Sequence, residues 1–186
     1  LSWDEAYEIA THTFAFTNHT VLQEALEKWS LDIVDEVCPR CLELIKEINQ
    51  KMISVFRQQA MPEEQINAYR IIHDDVVEMA YLAVWCAVAV NGVANIHTTI
   101  LQTETLKQWY AVMPEKFSNK TNGVTPRRWL QYANPELSAF ITKKLGSDAW
   151  HHDLTLLKGL ERYADDTETL QELNAIKQEK KRQLVD

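Results

Sequence analysis

Two polar stretches carry residue types that can do chemistry at a useful spacing. Thr17-Asn18-His19-Thr20 sets an imidazole and an amide between two hydroxyls, at the end of an aromatic and β-branched run. Ligands of α/β folds sit outside strand carboxyl ends, often at helix N-termini, so these groups could bond the hydroxyls of a sugar. The same four residues also read as a capped turn with a satisfied histidine. Lys120 to Leu130, KTNGVTPRRWL, places an Asn122-Gly123 turn before a helix start that carries Arg127, Arg128 and Trp129. Guanidinium groups there could hold a phosphate; equally, they pair with acids in a net-acidic chain.

Three further clusters are weaker. Cys38-Pro39-Arg40-Cys41 is a CxxC, but zinc takes four ligands and only Cys86 remains as a further cysteine. A redox pair wants a strand–loop–helix setting. Both cysteines fall among helical residues, so they read as two incidental thiols. His73-Asp74 with an upstream histidine has the pattern of helical HD-type metal-dependent phosphohydrolases, with Asp153 or Asp165 to complete the set. It precedes a run read as strand, which argues against that chemistry. His151-His152-Asp153 reads as a loop and a helix cap, so no metal site is expected. There is no GxGxxG or GxxxxGK[ST] loop to cradle a phosphate.

The elements that would position these groups are mostly helices. The chain has 186 residues, 46% of them hydrophobic and 25% charged, which suits a packed globular core. With only four glycines, helices are favoured over an all-β fold. Ser2 and Glu5 form a capping box for a helix to about Thr11. A short strand is expected near Thr13 to Thr17. Thr20 then caps a short helix through Leu26, ending near Trp29, and Ser30 caps the next. Pro39 suits a first helical turn, and Leu42, Ile45, Ile48, Met52 and Phe56 recur at helical spacing to about Gln59. Pro62 starts a short helix. Ile71 to Ala89 lacks a polar face and reads as a buried strand in preference to a buried helix. Asn91-Gly92 punctuates the chain. A helix follows from Val93 to about Tyr110, a loop from Met113 to Gly123, and helices start at Thr125-Pro126 and Pro135, the latter stopped by Gly146. Asp153 to Ala164 and Thr167 to Leu184 complete a mainly α-helical chain with a few short strands. Lone strands need a sheet, which suggests an excerpt of something longer.

The net charge is -8, which argues against bulk nucleic-acid binding. Lys177, Lys180, Lys181 and Arg182 alternate with acids and read as a solvated helix face. The apolar run from Met79 to Val90 is far short of the roughly 20 residues that cross a membrane. An odd count of three cysteines fits a reducing setting, so a cytoplasmic location is expected, with no nucleic acid or membrane as partner.

FTNHTVLQEALEKW (Phe16 to Trp29), EINQ (Glu47 to Gln50), VNGVANIHTTIL (Val90 to Leu101), KFSNKTNGVTPRRWL (Lys116 to Leu130) and ANPELSAFITKKLG (Ala133 to Gly146) follow one another in order. Together they resemble the α-glucan phosphorylases: the glycogen, starch and maltodextrin enzymes. The resemblance covers nearly the whole chain. It implies that residues 1–186 are a single segment from the late part of the N-terminal domain, reaching the crossing toward the cofactor-binding domain. The parent would then have a two-domain α/β, GT-B-like glycosyltransferase fold and act as a homodimer. Its reaction is phosphorolysis, in which inorganic phosphate attacks the terminal α-1,4-linked glucose and releases glucose 1-phosphate with retention. Pyridoxal phosphate would be the cofactor, on a lysine outside this chain.

By the same resemblance His19 bonds the 6-hydroxyl of the reacting glucosyl unit and Asn122 reaches that sugar's hydroxyls. Val93, Thr20 and Glu24 line the pocket, and Trp129 packs near the cofactor. No catalytic residue is expected within the chain, and alone it should be inactive. The arginines are left as structural. Gln23 stands where the family usually has proline, which should loosen that helix start. A non-catalytic helical binding or scaffold domain remains the alternative.

Overall fold

The computed structural model describes residues 1–185. Leu1–Asn122 forms one compact unit. In chain order it holds α1 (Trp3–Thr13), β1 (Phe16–Thr17), β2 (Lys28–Ser30), α2 (Leu31–Val37), α3 (Pro39–Gln58), α4 (Glu63–Asn67), β3 (Ile72–His73), β4 (Val76–Glu78), α5 (Met79–Cys86), β5 (Val90–Gly92), α6 (Asn95–Ile100), α7 (Lys107–Val112) and β6 (Phe117–Asn119). Gly123–Asp186 is the second unit, with α8 (Pro135–Leu145) and α9 (Thr167–Val185). The chain is mainly helical, as expected, and its strands are short.

The strands are not partnerless. β1, β5 and β6 form a parallel sheet with β5 in the middle, and β2, β4 and β3 form an antiparallel one with β4 in the middle. Residues of both sheets share a core with the apolar face of α3, where Ile45, Met52, Ile53 and Phe56 are buried at helical spacing and join one cluster with Ile71, Val77 and Val90. Phe56, Tyr69, Trp85 and Trp109 fill its centre with tilted and edge-on ring contacts. One polar group lies within this face. Asn49 is buried, and its Oδ1 accepts from Ile71 N at 3.0 Å and Ile72 N at 3.5 Å, satisfying the start of β3.

Several expectations are corrected. Ile71 to Ala89 is not one strand. Asp74 and Asp75 take φ of 47° and 60°, a two-residue reversal of the I′ kind between β3 and β4, and the chain then enters α5. A helix meets its own backbone hydrogen bonds, so an all-apolar run can be buried without strand neighbours. The helix expected from Thr20 to Leu26 is only a 3-10 turn at Gln23–Ala25, followed by β2. Asn91-Gly92 lies inside β5 rather than punctuating it, and the loop from Met113 to Gly123 contains a 3-10 turn and β6. The helix after Val93 is broken into α6, a π-helical stretch (Leu101–Thr105) and α7. Strands of two or three residues are too short to leave an alternating pattern, and their partners lie far away in the chain.

The Ser2–Glu5 capping box and the Gly146 stop hold in detail, and the structure adds a cap at Asn134. Ser2 Oγ accepts from Glu5 N at 3.3 Å while the Glu5 carboxylate accepts from Ser2 N at 2.8 Å. In the second unit Asn134 Oδ1 accepts from Leu137 N at 3.1 Å to start α8, and Gly146, at φ 74°, ends it in the left-handed conformation. Phe140, Ile141 and Trp150 form that unit's core. Cys38 and Cys41, read as incidental thiols, are instead bonded as a disulfide, because Cys38 is the N-cap of α3 and Cys41 lies one turn on. Among the described residues no helix is long and apolar enough to cross a membrane.

Candidate functional site

The parallel sheet brings three separated stretches to one edge. β1 runs out into Asn18-His19-Thr20, β5 into Val93, and β6 into Lys120-Thr121-Asn122. All three strands are parallel, so all three carboxyl ends face the same way, which is where α/β folds bind ligands. Sequence separation hides this, since β1 and β6 meet only through β5.

Hydrogen bonds tie the three exits together. Asn18 N donates to Asn91 O at 3.0 Å and the Thr17 hydroxyl to Asn91 Oδ1 at 2.9 Å. Lys120 N donates to Gly92 O at 3.0 Å and Asn122 N to Val93 O at 2.9 Å. Asn18 is itself buried, and its Oδ1 accepts from Thr20 N at 3.0 Å, folding the first loop into an Asx turn. That turn presents His19 outward, where it is exposed.

His97 locks the middle of the site. It is buried on α6, and its Nδ1 accepts from Val93 N at 3.0 Å. The proton therefore resides on Nε2, which faces Thr20 O at 3.5 Å. One imidazole thus bridges the loops after β5 and β1. Next to it the Thr98 hydroxyl lies 2.9 Å from both Ala94 O and Asn119 Oδ1, linking α6 to β6. This contact needs Gly92: a Cβ there would stand 2.9 Å from the Thr98 backbone N and Cα.

Of the residues singled out, Thr20, Val93 and Asn122 are joined through this network, and His19 is next to Thr20. His19 and Asn122 are both exposed. A hollow of about 370 Å³ lies beside the first loop, lined by Thr17, Asn18, His19, Thr20, Glu27 and Met79 among others. Val93, Glu24 and Asn122 are not part of it. Glu24 sits exposed on the 3-10 turn. That turn is not loose. The Gln23 side chain donates to Thr105 O at 3.2 Å, and the Thr105 hydroxyl donates to Val21 O at 3.3 Å. Trp129 belongs to the second unit, in the π-helical stretch Arg127–Tyr132, and is 63% exposed. There Arg127 donates to His151 O at 2.9 Å, so it serves the fold through a carbonyl rather than an acid.

The remaining clusters do not assemble. His73 and Asp74 sit at the β3–β4 reversal, 2.9 Å apart, and not on a helix as HD-type chemistry requires. Among the described residues no three His, Cys, Asp or Glu side chains gather to hold a metal ion. Lys116 donates to Val84 O at 3.2 Å and Trp85 O at 2.9 Å, which places a cation at the C-terminal end of α5. Burial holds its ammonium below the usual lysine range and pushes the neighbouring Cys86 thiol up to about 11.

Sequence reasoning gave no role in the site to Asn91 or His97, and it offered the Asn18 amide to a sugar where the structure uses it to fold the loop. The available signal for His97 was its place four residues after Val93, the spacing at which a helical side chain can reach back to the exposed N–H at its start.

All of the chain, residues 1–186, matches the carbohydrate phosphorylase family model. The chain belongs to the carbohydrate phosphorylase family. It is 43% identical over its whole length to an alpha-glucan phosphorylase 2, cytosolic, of Arabidopsis thaliana, covering 23% of that protein. It is 45% identical over 98% of its length to a glycogen phosphorylase of Synechocystis, covering 22% of it. To the liver form of glycogen phosphorylase of Homo sapiens it is 42% identical over 97% of its length, again covering 22%. The chain thus spans about a quarter of the length of the relatives it matches.

Proposed function

We propose that this chain is a segment of an α-1,4-glucan phosphorylase. In this reading it runs from the late part of the N-terminal domain to the crossing toward the cofactor-binding domain of a GT-B-like fold. The parent is a cytoplasmic, homodimeric glycosyltransferase that releases glucose 1-phosphate from glycogen or maltodextrin with inorganic phosphate. This chain supplies one wall of its sugar site. His19 bonds the 6-hydroxyl of the reacting glucosyl unit and Asn122 reaches other hydroxyls of the same sugar. Val93, Thr20 and Glu24 line the wall. Charge develops at the sugar ring in a glucosyl cation-like transition state, and positioned polar groups stabilise it. The observation that carries the reading is the convergence of the loops after β1, β5 and β6, bound to one another by Val93, Asn122, Thr20 and His97.

Pyridoxal phosphate is the cofactor that the family implies; its phosphate supplies the acid/base partner of the substrate phosphate. The residues of this chain do not fit as its holder. The three loops offer imidazole, amide and hydroxyl groups and one exposed lysine, Lys120, with no buried lysine to form an imine. Trp129 packs near the cofactor in this proposal, and every step assigned to the chain concerns the sugar.

The test is glucose 1-phosphate release from maltodextrin and phosphate by the full-length parent, with His19→Ala and Asn122→Ala variants. Each is expected to lower kcat/KM by about 10²-fold, the scale for removing one transition-state hydrogen bond, with cofactor absorbance unchanged. A parent that binds cofactor yet releases no glucose 1-phosphate would instead favour the non-catalytic scaffold.

A further inference from the structure

The Cys38–Cys41 disulfide is the motif that the sugar site leaves unused. It links Cys38, the residue between α2 and α3, to the first turn of α3. Cys38 is half-buried, and Cys41 is exposed. Its residues are three apart in sequence, so it restricts the unfolded chain very little. Neither cysteine is in the buried core, where the contribution of α3 begins at Leu42. Stabilising the fold therefore does not account for this bond.

Its setting suits exchange chemistry. α3 has 20 residues, its first turn holds no acidic side chain, and no side chain caps its free N–H groups. The positive end of the helix therefore faces Cys38, which favours a thiolate there. The seven-residue α2 ends at the same joint and opposes this field with a shorter dipole. Arg40 lies between the cysteines but is paired with Glu43 at 2.6 Å.

We propose that Cys38–Cys41 is a reversible two-electron redox site, reduced by an external dithiol. The incoming thiolate attacks the exposed Cys41 Sγ. The Cys38–Cys41 bond breaks, and Cys38 leaves as a thiolate at the head of α3, where it takes up a proton. The second thiolate of the dithiol then attacks the mixed disulfide and releases Cys41, which is protonated in turn. The protein pair gains two electrons and two protons, and the dithiol becomes a disulfide. Reduction frees the first turn of α3 from its cross-link to the N-cap, while α2 stays tied at its start by Leu31 N donating to Asp75 O at 2.9 Å.

The full-length protein that carries this chain is equilibrated, without denaturant, in dithiothreitol buffers of graded oxidised-to-reduced ratio. Free thiols are trapped with N-ethylmaleimide, and the peptide holding residues 38 and 41 is weighed. The expected result is an unlabelled pair at the oxidising end and a doubly labelled pair at the reducing end. One two-electron midpoint should appear, reached from either direction. Cys41→Ser should leave Cys38 labelled at every ratio. Double labelling at the oxidising end would overturn the proposal. So would a pair that stays closed until the protein is unfolded, since that is a structural cross-link.

Discussion

Replacing His97 by phenylalanine isolates the bridge that holds the site loops. The ring keeps its apolar packing but loses the Nδ1 that accepts from Val93 N at 3.0 Å. A half-buried donor left unpaired costs about 1–3 kcal/mol. The Nε2 contact to Thr20 O, at 3.5 Å, is at the limit of a hydrogen bond and adds little. A net loss of about 2 kcal/mol corresponds to roughly 30-fold in the population of the ordered loop. Two assays read it. Hydrogen exchange at the Val93 amide should accelerate by roughly that factor, whatever the function. In the full-length parent kcat/KM for phosphorolysis should fall by a similar amount, because a disordered wall taxes every turnover. His97→Asn should recover most of both, since its Oδ1 can accept from Val93 N in place of Nδ1. If Val93 exchange is unchanged in His97→Phe, or if His97→Asn is as damaged as His97→Phe, the bridge argument is wrong.

Two other outcomes follow from buried groups in the same unit. Asn49→Ala should destabilise the protein by about 2–4 kcal/mol, because Ile71 N at the start of β3 loses its buried acceptor and a cavity opens beside it; a change of under about 0.5 kcal/mol in the unfolding free energy from denaturant titration would refute it. Burial raises the Cys86 thiol from 9.0 to about 11, so alkylation by iodoacetamide at pH 8 should be about 100-fold slower in the folded than in the unfolded protein. The raised value means that the folded state binds this proton more tightly. Its contribution to stability is whole below pH 9.0 and lost as pH rises through about 11, so alkaline unfolding measured with Cys86→Ala should be less steep over that window.

Local chemistry was legible where neighbours in sequence are also neighbours in space. The Ser2–Glu5 box, the Ser30 cap, the Gly146 stop and the apolar stripe of α3 all act within one or two helical turns. Asp74-Asp75 was not legible, because two aspartates at positive φ form a hairpin reversal only when β3 and β4 have each other to pair with. The apolar run of α5 is ambiguous for the same reason. Nothing in its composition says whether strand neighbours or its own helix will satisfy its backbone. His19 and Asn122 could be singled out because they lie in long segments resembling one family. His97 does its work across a gap that no local pattern reveals.

Length, charge, helix caps and family membership are therefore properties of the chain as written, since they depend on residue identity and short spacings. The union of the loops after β1, β5 and β6 is a property of the folded molecule. It depends on parallel strands whose partners lie far apart in the chain: Phe16 pairs with Val90, and Val90 with Phe117. Such pairing comes together only as Phe16, Val90 and Phe117 join the shared core cluster with the apolar face of α3. The hydrogen bonds that align His97 with Val93 and Thr20 exist only once that packing is in place.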